Sequence, residues 1–205
     1  MQYEKNPPLL EQDVLPDPLA QFERWLKAAV DAGVIEPTAM TLATVGADGR
    51  PHARLVLFKG FKDGGFSFYT NHESDKGREL AAHRHAALVF WWDKLERQVR
   101  VEGPVMRLPE SDSREYFYSR PRVSQVGAMT SHQSRVVTSR AELDARFDEN
   151  EKKLAGGEVP FPEFWGGYRV QPERIEFWQG RRGRLHDRLV YLHGSQGWRI
   201  ERLEP

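Results

Sequence analysis

From Met40 onward the apolar residues stop recurring at helical spacing and begin to alternate, and this change of period constrains the fold more than any other feature. Before it, Asp17-Pro18 reads as an N-cap followed by a first helical residue. Leu19, Phe22, Trp25, Leu26 and Ala29 follow at helical spacing, and Gly33 supplies the stop. After it, MTLATVG, a Gly-Ala-Asp-Gly turn at 46–49 and PHARLVLFK predict a β-hairpin. GFSFYT at 65–70 predicts a third strand, and Ser74 can cap a helix running to about His83. AALVFWW at 86–92, a DKL turn and ERQVRVEGPVMRL predict a second hairpin, bent at Gly103-Pro104. Helices are expected over 110–119 and 139–154. WGGYRV, RIEFWQ, RLHDRLVYLH and GWRIERL return to strand, the last two joined by the turn at 194–197.

Six to eight strands joined mostly as hairpins do not alternate strictly with helices, which argues against a doubly wound parallel sheet. The expectation is a mainly β, α+β chain: a closed or split antiparallel barrel with peripheral helices, because closure removes exposed strand edges. Residues 1–16 are polar and proline-bearing and read as a flexible tail; residues 17–205 read as one domain without repeat or linker.

Composition narrows the chemistry. Thirty basic residues balance thirty acidic ones, which argues against a dedicated nucleic-acid binder. The absence of cysteine excludes disulfides, thiolate metal sites and cysteine nucleophiles. The longest apolar run, residues 86–92, is too short to span a bilayer, and the N-terminus lacks a charged-then-apolar signal layout. A soluble cytoplasmic protein is expected.

No dinucleotide glycine fingerprint, phosphate-binding glycine loop, nucleophile elbow or zinc-protease motif occurs. His83 and His85 come nearest to a ligand pair, but they end a predicted helix, where imidazole is favoured by the dipole. A bound phosphate must therefore be held by side chains, and 22 of the 30 basic residues are arginines, whose fork fits phosphate. At strand spacing Arg184, His186 and Arg188 share one face of RLHDR. Tyr116 and Arg120 lie four apart on a predicted helix, with Ser124 just past Pro121. Arg54 and Lys59, five apart, face opposite ways on a flat strand and share a site only if the strand bends or ends. Ser74-Asp75-Lys76 opens a helix whose free N–H groups favour an anion. Trp178 reads as a core aromatic or as a wall for a planar ring.

RLVLFK, FYTN, ERQVRVEG, YFYSRPRVSQVGA, HQS, FWGGYRV, IEFWQG and RLHDR, in this order and at these spacings, resemble the pyridoxamine 5′-phosphate oxidase family over about residues 17–205. The resemblance implies an FMN-binding split β-barrel with Greek-key-like antiparallel strands, working as a homodimer with FMN at the interface. It implies oxidation of pyridoxamine or pyridoxine 5′-phosphate to pyridoxal 5′-phosphate, with oxygen reduced to hydrogen peroxide. It places FMN along Arg54, Leu55, Val56, Leu57, Phe58 and Lys59, with Tyr69, Thr70, Lys76, Gln98, Gln133, Ser134, Trp178 and Arg188 completing the site, partly from the second subunit. Lys59, Tyr116, Arg120 and Ser124 match a clamp on the substrate phosphate. Arg184, Leu185 and His186 match the segment that holds the pyridine ring, Arg184 and His186 in catalytic positions. Neither nucleic acid, membrane nor metal is implied.

Two positions depart from the family pattern. Asp75 stands where relatives usually carry a basic residue, and its carboxylate would compete with the FMN phosphate unless it turns to Arg78. The N-terminal segment offers only Tyr3 and Lys5 where many relatives carry an Arg- and Tyr-bearing lid. The alternatives are a split-barrel flavin oxidase with another substrate, such as the phenazine-pathway enzymes, a non-catalytic flavin or pyridoxal phosphate module, and an RNA binder using GRRGR at 180–184. The five residues Tyr116, Arg120, Ser124, Arg184 and His186 together argue against the first; turnover separates the second; zero net charge opposes the third.

Overall fold

A computed structural model describes Tyr3 and residues 6–205. Lys5 lies outside the described residues. The first helix, α1 (Pro18–Asp31), begins where Asp17 accepts a hydrogen bond from Leu19 N at 2.9 Å, and Gly33 follows its end at φ +69°. Ten strands follow: β1 (Ala39–Val45), β2 (Pro51–Leu57), β3 (Phe61–Lys62), β4 (Gly65–Asn71), β5 (His85–Trp92), β6 (Arg97–Arg107), β7 (Trp165–Val170), β8 (Arg174–Gln179), β9 (Asp187–Gly194) and β10 (Gly197–Arg202). The remaining helices are α2 (Asp75–Ala82), α3 (Glu110–Ser119), α4 (Arg122–Thr130) and α5 (Arg140–Leu154).

All strand pairs are antiparallel, in the order β10-β9-β8-β6-β5-β1-β2, with β7, β4 and β3 branching from β6. The sheet is a split barrel, as the hairpin pattern predicts. It has more strands than the six to eight expected, in part because the two-residue β3 is too short to show a period.

The branch sits at Gly103. Residues 97–102 of β6 pair with β8, and residues 105–107 pair with β7. A Cβ at Gly103 would lie 1.9 Å from the Gln171 carbonyl oxygen, so no side chain fits without moving backbone. Gly103→Ala should therefore lower stability by at least about 1–3 kcal/mol, read as a fall in Tm; an unchanged Tm would contradict this close approach.

Phe22 of α1 is fully buried, and its ring lies 4.8–5.8 Å from those of Phe58, Phe61, Phe66 and Phe90. This edge-to-face cluster seats α1 on the barrel. A second cluster of Phe117, Val126, Val159 and Trp165 holds α3 and α4 beside β7.

Two local expectations fail for physical reasons. Residues 122–130 carry no predicted helix, because RVSQVGAMT is rich in weak helix formers and offers no side-chain cap. The helix is held instead by burial of Val126 and Thr130. In RLHDR the strand begins only at Asp187; residues 182–184 form a 3₁₀ turn with Gly183 and Arg184 at φ +68° and +63°. The alternation that put Arg184, His186 and Arg188 on one face does not operate there.

Residues 6–14 run beside β9, with Leu9 and Val14 buried. Leu9 N donates to Asp187, and Arg202 donates to Leu9 O and Glu11. Among the described residues no helix is long and apolar enough to cross a membrane.

Candidate active site

A cavity of about 710 Å³ opens between β2, β4, the N-terminus of α2 and the α3–α4 corner. Among the described residues its lining holds four cations, Arg54, Lys59, Lys76 and Arg120, and no carboxylate. An acid-free cationic cavity of this size suits an anionic small molecule.

The local sequence explains the convergence. The strand alternation separates Arg54 from Lys59, but β2 ends at Leu57 and Gly60 takes φ +92°. Lys59 N then donates to Ser67 O, so the chain crosses from β1 to β4 and Lys59 turns into the cavity. This is the bend that periodicity could not supply. Ser74 caps α2 by accepting from Gly77 N at 3.3 Å, which sets Lys76 in the first turn. Gln133 Oε1 accepts from both Lys76 Nζ at 2.8 Å and Thr70 Oγ1 at 2.9 Å, pinning the loop after α4 to β4 and α2. Burial and the nearby Arg54 lower the affinity of the Lys76 amine for its proton, partly offset by Asp75 and Glu79. Ser134, at φ +71°, accepts from Asp75 N at 3.2 Å; it flanks the cavity without lining it.

The other end of the cavity is the α3–α4 corner. Tyr116 lies on α3, Arg120 closes it, Pro121 starts the next turn and Ser124 sits in the first turn of α4, so these three of the four predicted clamp residues line the cavity, as does Lys59. Arg120 packs its guanidinium over the Trp165 ring, 4.9 Å from the centroid. Its Nη1 is buried and has no hydrogen-bond partner among the described residues. Burial lowers the Arg120 pKa, with the Tyr116 phenol opposing, but a guanidinium stays charged. A buried, unpaired donor of this kind fits an anion. Tyr69 stacks on Tyr116 with centroids 3.9 Å apart, and its phenol is pushed up to about 12 by burial, with Asp112, Tyr116 and Glu115 adding to it.

Trp165 had no assigned role, although FWGG is one of the motifs. The signal was the paired glycines. A Cβ at Gly166 would meet His72 and Ser113, and one at Gly167 would meet Leu108 and Tyr69, so Gly166 admits Ser113 of α3 against β7 and Gly167 admits Leu108 and Tyr69 beside it.

The expected site residues thus fall into two groups. Arg54, Leu55, Val56, Leu57, Lys59, Tyr69, Thr70, Lys76, Tyr116, Arg120, Ser124 and Gln133 line the cavity. Phe58 turns the other way and is buried in the core beside Phe22. Gln98, Trp178, Arg184, Leu185, His186 and Arg188 lie apart, β9 being five steps from β2 along the sheet. Gln98, Trp178 and Arg188 face one another across β6, β8 and β9 in register. Trp178 and His186 have ring centroids 4.5 Å apart, and Tyr3 packs edge-on against both. Arg188 forks onto the buried Glu176 at 2.8 and 3.0 Å. Burial pushes the Glu176 carboxyl up, but Arg188, Arg100 and Arg174 outweigh it and hold it below the usual range.

His186 Nδ1 accepts from Arg181 N at 3.1 Å, so the neutral ring carries its proton on Nε2. Burial, then Arg184, lowers its pKa below 6.5, with Asp187 opposing. Asp75 takes the alternative the sequence left open: it bonds Arg78 at 2.5 Å and does not line the cavity.

The comparisons agree with this geometry. Residues 26–153 match the family model "Pyridoxamine 5'-phosphate oxidase", and residues 165–205 match "Pyridoxine 5'-phosphate oxidase C-terminal dimerisation region". A pyridoxine/pyridoxamine 5′-phosphate oxidase of Rubrobacter xylanophilus is 55% identical over 96% of this chain and 91% of its own. One from Thermosynechococcus vestitus is 57% identical over 96% and 93%. Among solved structures, PhzG from Burkholderia lata, in complex with tetrahydrophenazine-1-carboxylic acid, is 32% identical with TM-score 0.90, covering 97% of this chain and 98% of that one. A pyridoxamine 5′-phosphate oxidase-related FMN binding protein of Nostoc punctiforme, 16% identical with TM-score 0.72 over 90% and 97%, shares the fold. With the matched segments spanning both the cavity and the Trp178–Arg188 row, the chain belongs to the pyridoxine/pyridoxamine 5′-phosphate oxidase family.

Proposed function

We propose that this chain oxidises pyridoxamine 5′-phosphate and pyridoxine 5′-phosphate to pyridoxal 5′-phosphate as a cytoplasmic homodimer, with FMN at the subunit interface and oxygen reduced to hydrogen peroxide. The observation that carries it is a single cavity with two separate anion-holding ends. Arg54 on β2 and Lys76 in the first turn of α2 stand at one end, and Tyr116, Arg120 and Ser124 stand at the α3–α4 corner. Two phosphomonoesters, one on the cofactor and one on the substrate, match two such ends.

When bound, FMN supplies the two-electron acceptor for the substrate's C4′ carbon. The protein's part is orientation and electrostatics. Arg120, Tyr116 and Ser124 hold the substrate phosphate, so remote binding energy fixes the register of the ring. Lys59 lies between the two ends and can serve either. Arg184 and His186 come from the second copy in this reading. Exposed apolar side chains on β2 and on the turn before β9 support that pairing: Leu55 is 72% and Leu185 is 74% exposed in one chain. His186, neutral with Nε2–H outward from its Arg181 bond, donates to the ring oxygen. Arg184 supplies fixed charge from a left-handed backbone that only a constrained loop sustains.

The alternative flavin oxidase reading draws on the likeness to PhzG, but the identity is 32% there against 55–57% to the oxidases. Purified protein supplied with FMN and either phosphorylated substrate should yield pyridoxal 5′-phosphate and peroxide together. No turnover of either substrate would overturn the reading. The pH profile checks His186 separately. Since burial and Arg184 lower its pKa, the loss of kcat/KM that protonating His186 causes should have its midpoint below 6.5. A decline beginning well above pH 6.5 would rule out the neutral donor.

A further inference from the structure

We propose that Glu79 is a positioning residue that fixes the Arg54 guanidinium at the phosphate end of the cavity. The inference rests on the flavin reading above. Glu79 lies on α2, one turn beyond Lys76, with its side chain only 9% exposed. It does not line the main cavity. Its Oε2 accepts from Arg54 Nη2 at 2.8 Å and from Thr44 Oγ1 at 2.5 Å, and its Oε1 lies 2.5 Å from His52 Nδ1. One carboxylate therefore ties α2 to both β1 and β2.

The consequence falls on Arg54. Its Nη1 donates to Thr44 Oγ1 and, at 3.5 Å, to Leu42 O, while its Nη2 is held by Glu79. Its Nε has no protein partner among the described residues. The end of the fork is thus anchored in protein, and the Nε–H and the second Nη2–H are left for a ligand.

Arg54 also forms part of the wall between two spaces. A second cavity of about 550 Å³, lined by His52, Asp75, Arg78 and Glu79 among others, lies on its other side. Without its anchor the long arginine side chain has two cavities to occupy and rotamer freedom to lose on binding. Burial pushes the Glu79 carboxyl up, but the bonds from Thr44, His52 and Arg54 outweigh it and keep it ionised.

Positioning and charge predict opposite results. Glu79→Gln and Glu79→Ala remove the same negative charge, which alone would tighten an anion. Only Glu79→Ala also removes the acceptor that holds the fork. The test titrates the full-length chain, freed of flavin, with FMN and with riboflavin, reading the flavin's fluorescence. Riboflavin lacks the phosphate and reports whether the rest of the pocket is intact.

Glu79→Ala should bind FMN about tenfold more weakly than Glu79→Gln, with riboflavin affinity alike in both. Thr44→Val, which keeps shape and removes the second tether, should weaken FMN in the same direction by about threefold. In an Arg54→Ala background the difference between Gln and Ala at position 79 should vanish. Equal FMN affinity in the two Glu79 variants overturns the proposal, as does parallel loss of riboflavin, which marks a merely structural role. A wild-type chain that prefers FMN, with that preference surviving Glu79→Ala, overturns the inference alone. A wild-type chain that binds FMN no better than riboflavin overturns the phosphate assignment beneath it as well.

Discussion

Arg120→Ala is expected to lower kcat/KM for pyridoxamine 5′-phosphate by about 100-fold or more, the largest single effect in the cavity. A charge-assisted hydrogen bond is worth about 1.5–3 kcal/mol, and a guanidinium can give a phosphate two of them. Arg120 Nη1 is buried without a partner among the described residues, so the ligand's bond replaces none made to them. The side chain rests on the Trp165 ring, which limits the freedom it must surrender. Trp165→Leu should reproduce part of the loss, about tenfold, by releasing the guanidinium from its platform. Turnover of unphosphorylated pyridoxamine, however slow, should be little changed by Arg120→Ala. If the two substrates suffer equally, Arg120 is not the phosphate ligand.

Arg184→Ala is expected to reduce turnover by about 100-fold while the protein keeps its FMN, since about 3 kcal/mol of positioning and charge leaves the reacting end of the substrate. Arg184 sits at φ +63°, where alanine is strained as well, so the backbone cost is nearly the same in both proteins. Arg184→Gly separates the factors: it relieves the strain and should still be slow. The neighbouring Arg188 behaves differently. It is forked onto the buried Glu176, so Arg188→Ala leaves that carboxylate to Arg174 and Arg100 alone and should lower Tm as well as flavin content. Loss of FMN in Arg184→Ala equal to that in Arg188→Ala would contradict this division.

The two groups differ in how far the sequence could reveal them. Tyr116 and Arg120 are legible as a pair because they stand four apart at the end of a predicted helix that Pro121 stops, and Ser124 only by standing just beyond it. Lys59 was legible only through family likeness, since the turn at Gly60 depends on a positive φ and on pairing with Ser67, both tertiary facts. The RLHDR reading differs from the structure in its geometry. Strand alternation was assumed from Arg184, whereas a 3₁₀ turn occupies 182–184 and delivers His186 beside Trp178 by another route. Helix α4 was invisible because its stability comes from burying Val126 and Thr130 and not from propensity. Glu79 gave no signal at all: a glutamate at mid-helix reads as a solvated face until β1 and β2 are folded over it.

The central claim is that one active site is built from two copies of the chain, the cavity from one and the Trp178–Arg188 row from the other. Mixing tests it directly. Arg120→Ala and Arg184→Ala should each be nearly inactive as homodimers, because every site would carry one defect. Unfolded together and refolded, or co-expressed at equal levels, they form mixed two-fold dimers in which one site carries both defects and the other none. Random pairing then restores about a quarter of the wild-type sites. Recovery of about a quarter of wild-type activity, absent from either variant alone, is the predicted result. Mixed dimers that form, as shown by differently tagged chains purifying together, yet stay as inactive as their parents would contradict the two-chain site.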